Sequence, residues 1–351
     1  MPKKNDSLTG IDKKPTIRDV SRLAGVSTAT VSRILANYDV VSEATRQRVN
    51  AAIQELNFTV NRNARNLRRS KLTKIGVLIT DVQNPFFGSI VRGIEKTMIT
   101  QDYTIFLGNS DEDVNQENKI LNLFLEEGVA GIVLVPASSE NTQYIQLFSS
   151  SIPTVIIDRK INNASTDSVF VDNYTGTAQA TEALIRLGHR NIALISGLNH
   201  LSVMQEREKG FLDALHKHDL KPNPNLLKNA NNRQDGGFAA MKELLSFEQP
   251  PTAVLISNNL MTLGGLEAVH QSALRIPDDI SIIGFDDMDW ACSLQPPLSV
   301  IAQPAYDMGE KAAKLLLERI REPGLPPRKI ILQTELILRE SCKPIVSTST
   351  P

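Results

Sequence analysis

Apolar positions along the chain follow two regimes that change near residue 72. Between Thr16 and Phe58 they recur at helical spacing in three short runs. These are Ile17, Val20, Leu23 and Ala24, then Val31, Ile34 and Leu35, then Val49, Ala52, Ile53 and Leu56. Thr16, Ser27 and Ser42 stand where each helix would need an N-cap. Gly25-Val26 parts the first two runs, and glycine tolerates the left-handed backbone of a tight inter-helix turn. Three short helices with such a turn predict a helix-turn-helix domain over 15–60.

From Lys74 onward, short and nearly continuous apolar runs alternate with amphipathic stretches. Strands are predicted at 75–79, 104–107, 131–135, 154–157, 168–171, 192–196, 253–256 and 282–285. Helical patterns between them include 87–100, 117–127, 176–187, 205–216, 238–245 and 260–271. Apolar strands alternating with helices mean parallel sheets covered on both faces. The body is too long for one comfortable sheet, so two doubly wound parallel-sheet lobes are expected. Between the regimes lies NRNARNLRRS (61–70), polar and basic around a single Leu67, which reads as a linker. Residues 1–14 lack a periodic apolar pattern and are expected to be a disordered tail, with a second short tail at 342–351.

Composition adds a charge asymmetry. The chain's net charge is -1, yet residues 1–71 hold fourteen Lys/Arg against six Asp/Glu, leaving 24 against 33 for the rest. A basic head on an acidic body suits a head that touches a polyanion. Two cysteines, Cys292 and Cys342, provide neither a disulfide framework nor metal-ligand spacing. No apolar run is long enough to span a bilayer, and the polar, Lys-rich start does not read as a secretory signal. A cytoplasmic, nucleoid-associated protein without membrane contact is expected.

The second predicted helix carries the chemistry for reading DNA. With Val31, Ile34 and Leu35 inward, Thr28, Ala29, Ser32 and Arg33 face a partner. Short Thr and Ala side chains permit close approach in a major groove, and arginine grips guanine O6 and N7 bidentately. The run TIRDVSRLAGVSTATVSRIL, followed by VSEATRQRVNAAIQELNF, resembles the N-terminus of the lactose-repressor (LacI/GalR) family. The resemblance implies that Thr28, Ala29 and Arg33 read bases while Thr16, Ser27, Thr30, Ser32, Asn37 and Arg46 stand at or near phosphates. It also implies that 61–71 folds into a hinge helix on DNA, with Leu67 from two subunits wedged into the minor groove at a central CG step. Such a wedge unstacks a base step and kinks the duplex. Asn61, Arg65 and Arg68, with Arg62 and Arg69, are then expected at the DNA. Val60-Asn61 departs from the family's usual Pro-Asn, and Asn63 replaces a small apolar residue.

In open parallel sheets, ligands bind beyond the carboxyl ends of the strands. The residues there include Asp81, Asn84, Phe86 and Phe87; Asp158 and Arg159; Arg207; Asn258; and Asp286. Carboxylates, amides and an arginine around an aromatic plate suit a small polyhydroxylated ligand. The segments DVQNPFF, IDR, EREKGF, SNN, SIIGFDD and PPLSVIAQP extend the resemblance across this periplasmic-binding-protein-like body. They imply that Phe87 stacks on the ligand near Asp81 and Asn84, with Arg207 and Asp286 as polar anchors helped by Asn258 and Asp158. Ser202, Val203, Phe238 and Trp290 are secondary candidates for specificity.

Crossovers between lobes are expected near Ile161, at Gln303-Pro304 and near Gln333. They divide the effector-binding and dimerisation domain at 72–341 into a first lobe of about 72–161 and 304–332 and a second of about 162–303 and 333–341. Closure on a ligand would change the spacing of the hinge helices in a dimer. The resulting expectation is a homodimeric repressor of sugar-utilisation genes, binding a pseudo-palindromic operator and answering to a sugar or sugar derivative. An alternative is a catabolite-control regulator triggered by a phosphorylated carrier protein. Nucleotide-loop, nucleophile-elbow and zinc-protease motifs do not occur, so no catalytic residue, cofactor or metal is assigned.

Overall fold

A computed structural model of the protein describes residues 15–35, 41–56, 58 and 73–345. The chain divides into two compact units, Met1–Lys71 and Leu72–Pro351.

The first unit holds α1 (Ile17–Ala24), α2 (Thr28–Leu35) and α3 (Glu43–Glu55). Their apolar stripes meet in a small core of Val20, Ala24, Val31, Ile34, Val49 and Ala52. Gly25 ends α1 at φ +65°, the left-handed turn that glycine adopts without a steric penalty. The three caps differ. Ser27 Oγ accepts the Thr30 N–H at 3.1 Å, capping α2. Thr16 donates both its N–H (2.9 Å) and its hydroxyl (2.6 Å) to the Asp19 carboxylate. Ser42 occupies the cap position of α3, but its hydroxyl meets that of Thr45 at 2.9 Å and accepts no backbone N–H, contrary to expectation.

In the second unit, β1 (Lys74–Ile79), β2 (Thr104–Asn109), β3 (Gly131–Leu134), β4 (Thr154–Ile157), β5 (Asp167–Val171) and β11 (Lys329–Leu332) form one sheet. Its order is β11-β5-β4-β3-β1-β2, parallel throughout. A second sheet joins β6 (Ile192–Ser196), β7 (Leu227–Asn229), β8 (Ala253–Ile256), β9 (Ser281–Phe285), β10 (Ser299–Ala302) and β12 (Glu335–Ile337). Its order is β12-β10-β9-β8-β6-β7, with only β12 antiparallel. Each lobe therefore repeats the arrangement second-first-third-fourth-fifth, whose order reverses between the first and third strands. That reversal opens a crevice at the carboxyl ends.

The helices are α4 (Pro85–Ile99), α5 (Val114–Glu126), α6 (Gln143–Ser149), α7 (Asn173–Arg186), α8 (Ser202–Lys217), α9 (Gln234–Leu245), α10 (Asn259–Gln271) and α11 (Ala305–Arg321). Central strands β3, β4, β6, β8 and β9 are buried along their whole length, as parallel strands under helices on both faces must be. In the first lobe α4 and α11 cross in close contact. A Cβ on Gly309 would stand 2.0 Å from the Ile90 carbonyl oxygen, and one on Gly93 would stand 2.2 Å from that of Tyr306.

The chain crosses between sheets three times: after β5, between β10 and α11, and between β11 and β12. The first crossing corrects the expectation of a boundary near Ile161. Strand β5 pairs with β4 and β11, so the first lobe keeps the chain through Val171. An apolar strand does not reveal from its sequence which sheet it will join.

Candidate functional site

On the head, the residues expected to meet DNA fall on one open surface of α2. Val31 and Ile34 are buried, while Ser27, Thr28, Ala29, Ser32 and Arg33 are exposed. Thr30 is half-buried, its hydroxyl 2.9 Å from that of Ser27. Thr16 is exposed at the start of α1, and Arg46 is half-buried in the first turns of α3. Small side chains at the helix N-terminus and an arginine one turn on leave the backbone free to approach a groove. Asn37, Asn61, Arg65, Leu67 and Arg68 lie outside the described residues.

In the body, Asp81, Asn84, Phe86, Phe87, Asp158, Arg207, Asn258 and Asp286 all line one cleft between the lobes. Strand ends deliver them: Asp81 and Asn84 follow β1, Asp158 follows β4, Asn258 follows β8 and Asp286 follows β9. Asn84 and Asn258 also cap the next helices, accepting the N–H groups of Phe86 (3.0 Å) and Met261 (2.7 Å). Asp158 and Asp286 occupy equivalent places, after the fourth strand of each lobe, at φ +68° and +72°. This left-handed backbone, uncommon for a non-glycine residue, ends each strand abruptly at its carboxylate.

The two aspartates differ in their neighbours. Asp286 Oδ1 accepts from Gln303 Nε2 at 2.6 Å, and its Oδ2 accepts from Asn259 Nδ2 at 2.9 Å. Burial pushes its pKa up against the opposing charge of Arg207. Asp158 lies 3.7 Å from Arg159 Nε; burial carries its pKa to about 6, with Arg159 and Arg207 opposing. Arg207, buried, donates from Nε to Asn173 Oδ1 at 2.8 Å and from Nη1 to the Ser257 carbonyl. Its guanidinium lies 3.6 Å over the Phe285 ring centre. Phe86 and Phe87 meet edge to face at 5.2 Å and belong to the first lobe's core, so each offers the cleft only a small part of its ring.

Polar contacts join the lobes across the cleft. Asn259 Nδ2 also donates to Asn84 Oδ1 at 2.9 Å, Arg233 Nη2 reaches Asp111 at 2.7 Å, and the Lys160 N–H meets Ser202 Oγ at 3.2 Å. Lys160 also pairs with Glu206. These contacts would have to break for the cleft to open.

The lining further contains Glu112, Arg159, Val203, Met204, Asn231, Asn232, Arg233 and Gln303. Arg159 is held by Glu112 through two bonds of 2.6 Å. The sequence pattern does not reveal the polar loop Asn231-Asn232-Arg233, because the strand before it, β7, is three residues long and only partly apolar. Of the secondary candidates, Val203 lines the cleft, whereas Phe238 and Trp290 pack against the second lobe's core. Among the described residues no group of His, Cys, Asp and Glu could hold a metal ion, and no helix is long and apolar enough to cross a membrane.

The model of "bacterial regulatory proteins, lacI family" matches residues 16–61, and that of a "periplasmic binding protein-like domain" matches 181–342. The ribose operon repressor of Haemophilus influenzae is 34% identical over 93% of this chain and 98% of its own length. The HTH-type transcriptional repressor CytR of Escherichia coli K12 is 33% identical over 93% of this chain and 96% of its own. The solved lac repressor dimer bound to operator and the anti-inducer ONPF superposes with a TM-score of 0.83 at 26% identity, covering 94% of this chain and 100% of that one.

Proposed function

The chain belongs to the lacI family of bacterial regulatory proteins, and from that premise we propose that it is a repressor whose operator affinity is set by a small sugar-type effector in the inter-lobe cleft. The exposed face of α2 is the reader of a DNA half-site, with Thr28, Ala29 and Arg33 at base edges. A half-site reader on a pseudo-palindrome needs a two-fold partner, so the working form is a homodimer. The 61–71 segment is proposed as its hinge, with Leu67 at the central CG step.

The single observation that carries the effector reading is the convergence of eight residues from both lobes on one cleft, five of them delivered by strand ends and three by helices α4 and α8. A ligand that binds the closed arrangement more tightly shifts the balance between closed and open lobes by its differential affinity alone. The contacts Arg233–Asp111, Asn259–Asn84 and those of Lys160 with Ser202 and Glu206 are the ones that such a shift makes or breaks. No observation among the described residues favours a phosphorylated carrier protein as the trigger, and the cleft is read as a binding site, not a catalytic one.

A fluorescence-anisotropy titration tests the proposal, using a central-CG palindrome and a scrambled duplex, each with and without a panel of pentoses and hexoses. Tight binding to the palindrome alone, shifted by one sugar, is the expected result. Equal weak binding to both duplexes would remove the operator reading. Specific binding that no sugar shifts would remove the effector reading.

A further inference from the structure

The first lobe has a second pocket, on the sheet face away from α11, that shares no lining residue with the cleft. Its origin lies in one connection. Strands β4 and β5 are parallel neighbours, yet residues 158–166 join them without a helix. Parallel neighbours are usually joined by a helix that covers one face of the sheet. On this face the apolar side chains of α5 and α6 pack over Leu78 of β1 and Ile132 and Leu134 of β3. Alternation along β5 turns Val169 and Val171 toward the core under α11, and Ser168 and Phe170 toward the space left uncovered. The 158–166 connection and residues 327–329 wall that space.

Its chemistry is that of an anion site. The lining holds three cations, Lys160, Arg328 and Lys329, and three hydroxyls, of Ser165, Thr166 and Ser168, with no carboxylate. Lys329 is exposed and pairs with no acid among the described residues; its Nζ lies 5.7 Å from the Phe170 ring centre. Arg328 gives Nε to Asp167 and Nη1 to Glu318, but its Nη2 is buried with no hydrogen-bond partner among the described residues. Ser168 is buried too, and its hydroxyl makes no hydrogen bond among the described residues. Buried donors left without an acceptor are uncommon, and phosphate oxygens accept from guanidinium, ammonium and hydroxyl alike. Ile156 and Phe170, both buried, add an apolar floor.

Lys160 ties this pocket to the second lobe. Its Nζ pairs with Glu206 of α8, and its N–H meets Ser202 Oγ. An anion in the pocket therefore competes with Glu206 for the same ammonium group, at the expense of a contact that joins the lobes.

We propose that this pocket is a second, regulatory site for a small phosphomonoester with an apolar part. Lys329, Arg328 and Ser168 hold the phosphate, which draws Lys160 from Glu206 and so favours open lobes. By linkage, a cleft ligand that favours closure and the phosphomonoester weaken each other's binding by one common factor. That last step rests on the effector reading of the cleft; binding in the pocket does not.

Calorimetric titration of the full chain with phenyl phosphate, inorganic phosphate and phenol tests the proposal. Phenyl phosphate is expected to bind more tightly than either of the others. Lys329→Ala, at an exposed position on the edge strand, should weaken it about tenfold. Glu206→Gln, which releases Lys160, should tighten it about twofold to fivefold. Asp286→Asn, in the cleft, should leave it within about twofold. Absence of binding, or a loss with Asp286→Asn and none with Lys329→Ala, overturns the site. Inorganic phosphate binding as tightly as phenyl phosphate overturns the phosphomonoester in favour of the free ion. An affinity that Glu206→Gln leaves unchanged overturns the coupling to the lobes. A sugar that still shifts operator binding in Lys329→Ala keeps the effector reading standing in each of these cases.

Discussion

Replacing Asp286 by asparagine removes a charge at nearly constant volume, so its effects can be followed through the bonds around it. The carboxylate accepts two amide donors, Gln303 Nε2 and Asn259 Nδ2, one on each oxygen. An amide in its place keeps one oxygen and turns an NH2 group toward the other donor. One buried donor then loses its partner, at about 1–3 kcal/mol. Arg207 loses one of its three opposing carboxylates and retains Asp158 and Glu206, which adds to the cost. Relief of the desolvation that raises the Asp286 pKa offsets part of this. A net stability loss of about 1–2 kcal/mol is expected, read as a lower urea midpoint at unchanged slope. For the ligand, exchanging a charged acceptor for a neutral one removes about 1–1.5 kcal/mol, or roughly tenfold in affinity. Ligand-free operator binding should stay within about twofold, because no DNA contact is touched. Calorimetry with the best sugar and anisotropy without it measure the two arms. A stability loss with unchanged sugar affinity would show that Asp286 only holds Gln303 and Asn259 in place, refuting its role as an anchor.

Gly309→Ala should destabilise the body by about 1–3 kcal/mol, because a methyl 2.0 Å from the Ile90 oxygen forces α4 and α11 apart and outweighs alanine's better helix propensity. Gly88→Ala, whose Cβ would meet nothing within 4 Å, is the control and should be neutral or stabilising in the same urea experiment. Asp158, with its pKa raised from 3.8 to about 6, binds a proton more readily folded than unfolded, so its contribution makes stability fall as pH rises between those values. Asp158→Asn should remove that part of the slope; unfolding curves at pH 4, 5 and 6 that run parallel for both proteins would contradict it. Arg33→Ala should leave unfolding unchanged and cost about 1–3 kcal/mol of discrimination at one base pair of each half-site. Titration against singly substituted palindromes would show it, and a uniform loss across all of them would mean a phosphate contact instead.

The central elements were legible because burial imposes a simple pattern on them. Strands β1, β3, β4, β6, β8 and β9 each read as an apolar run, and the structure places them within a residue or so of the predicted bounds. The strands not anticipated are mostly at edges or crossovers: β7 is short and partly polar, and β11 and β12 are only half-buried. Buried β10 falls within PPLSVIAQP, a segment marked by the family resemblance and not by a strand pattern. The cleft followed from strand ends, so residues after clear strands were found and those after obscure ones were not. Asn231, Asn232 and Arg233 follow β7, and Glu112 lies beyond a β2 that runs two residues past its predicted end. The stacking role expected of Phe87 is reduced by its place in the core, which pattern alone does not reveal. Arg159 is turned to Glu112, a pairing that joins residues 47 apart in sequence and leaves no local trace.

The interleaved path of the chain sets the order in which the lobes can be made. The first lobe's core includes Ala305, Met308, Ala312, Ala313, Leu315, Leu316 and Leu317 of α11, and its sheet is closed at one edge by β11. Both segments follow β10 of the second lobe, so a chain emerging from the ribosome has nearly all of the second sheet before the first can finish. Until then β5 is an unprotected parallel edge and one face of the first sheet lacks its helix. The lobe begun first is therefore completed late, and no cut at a single point can release either lobe whole.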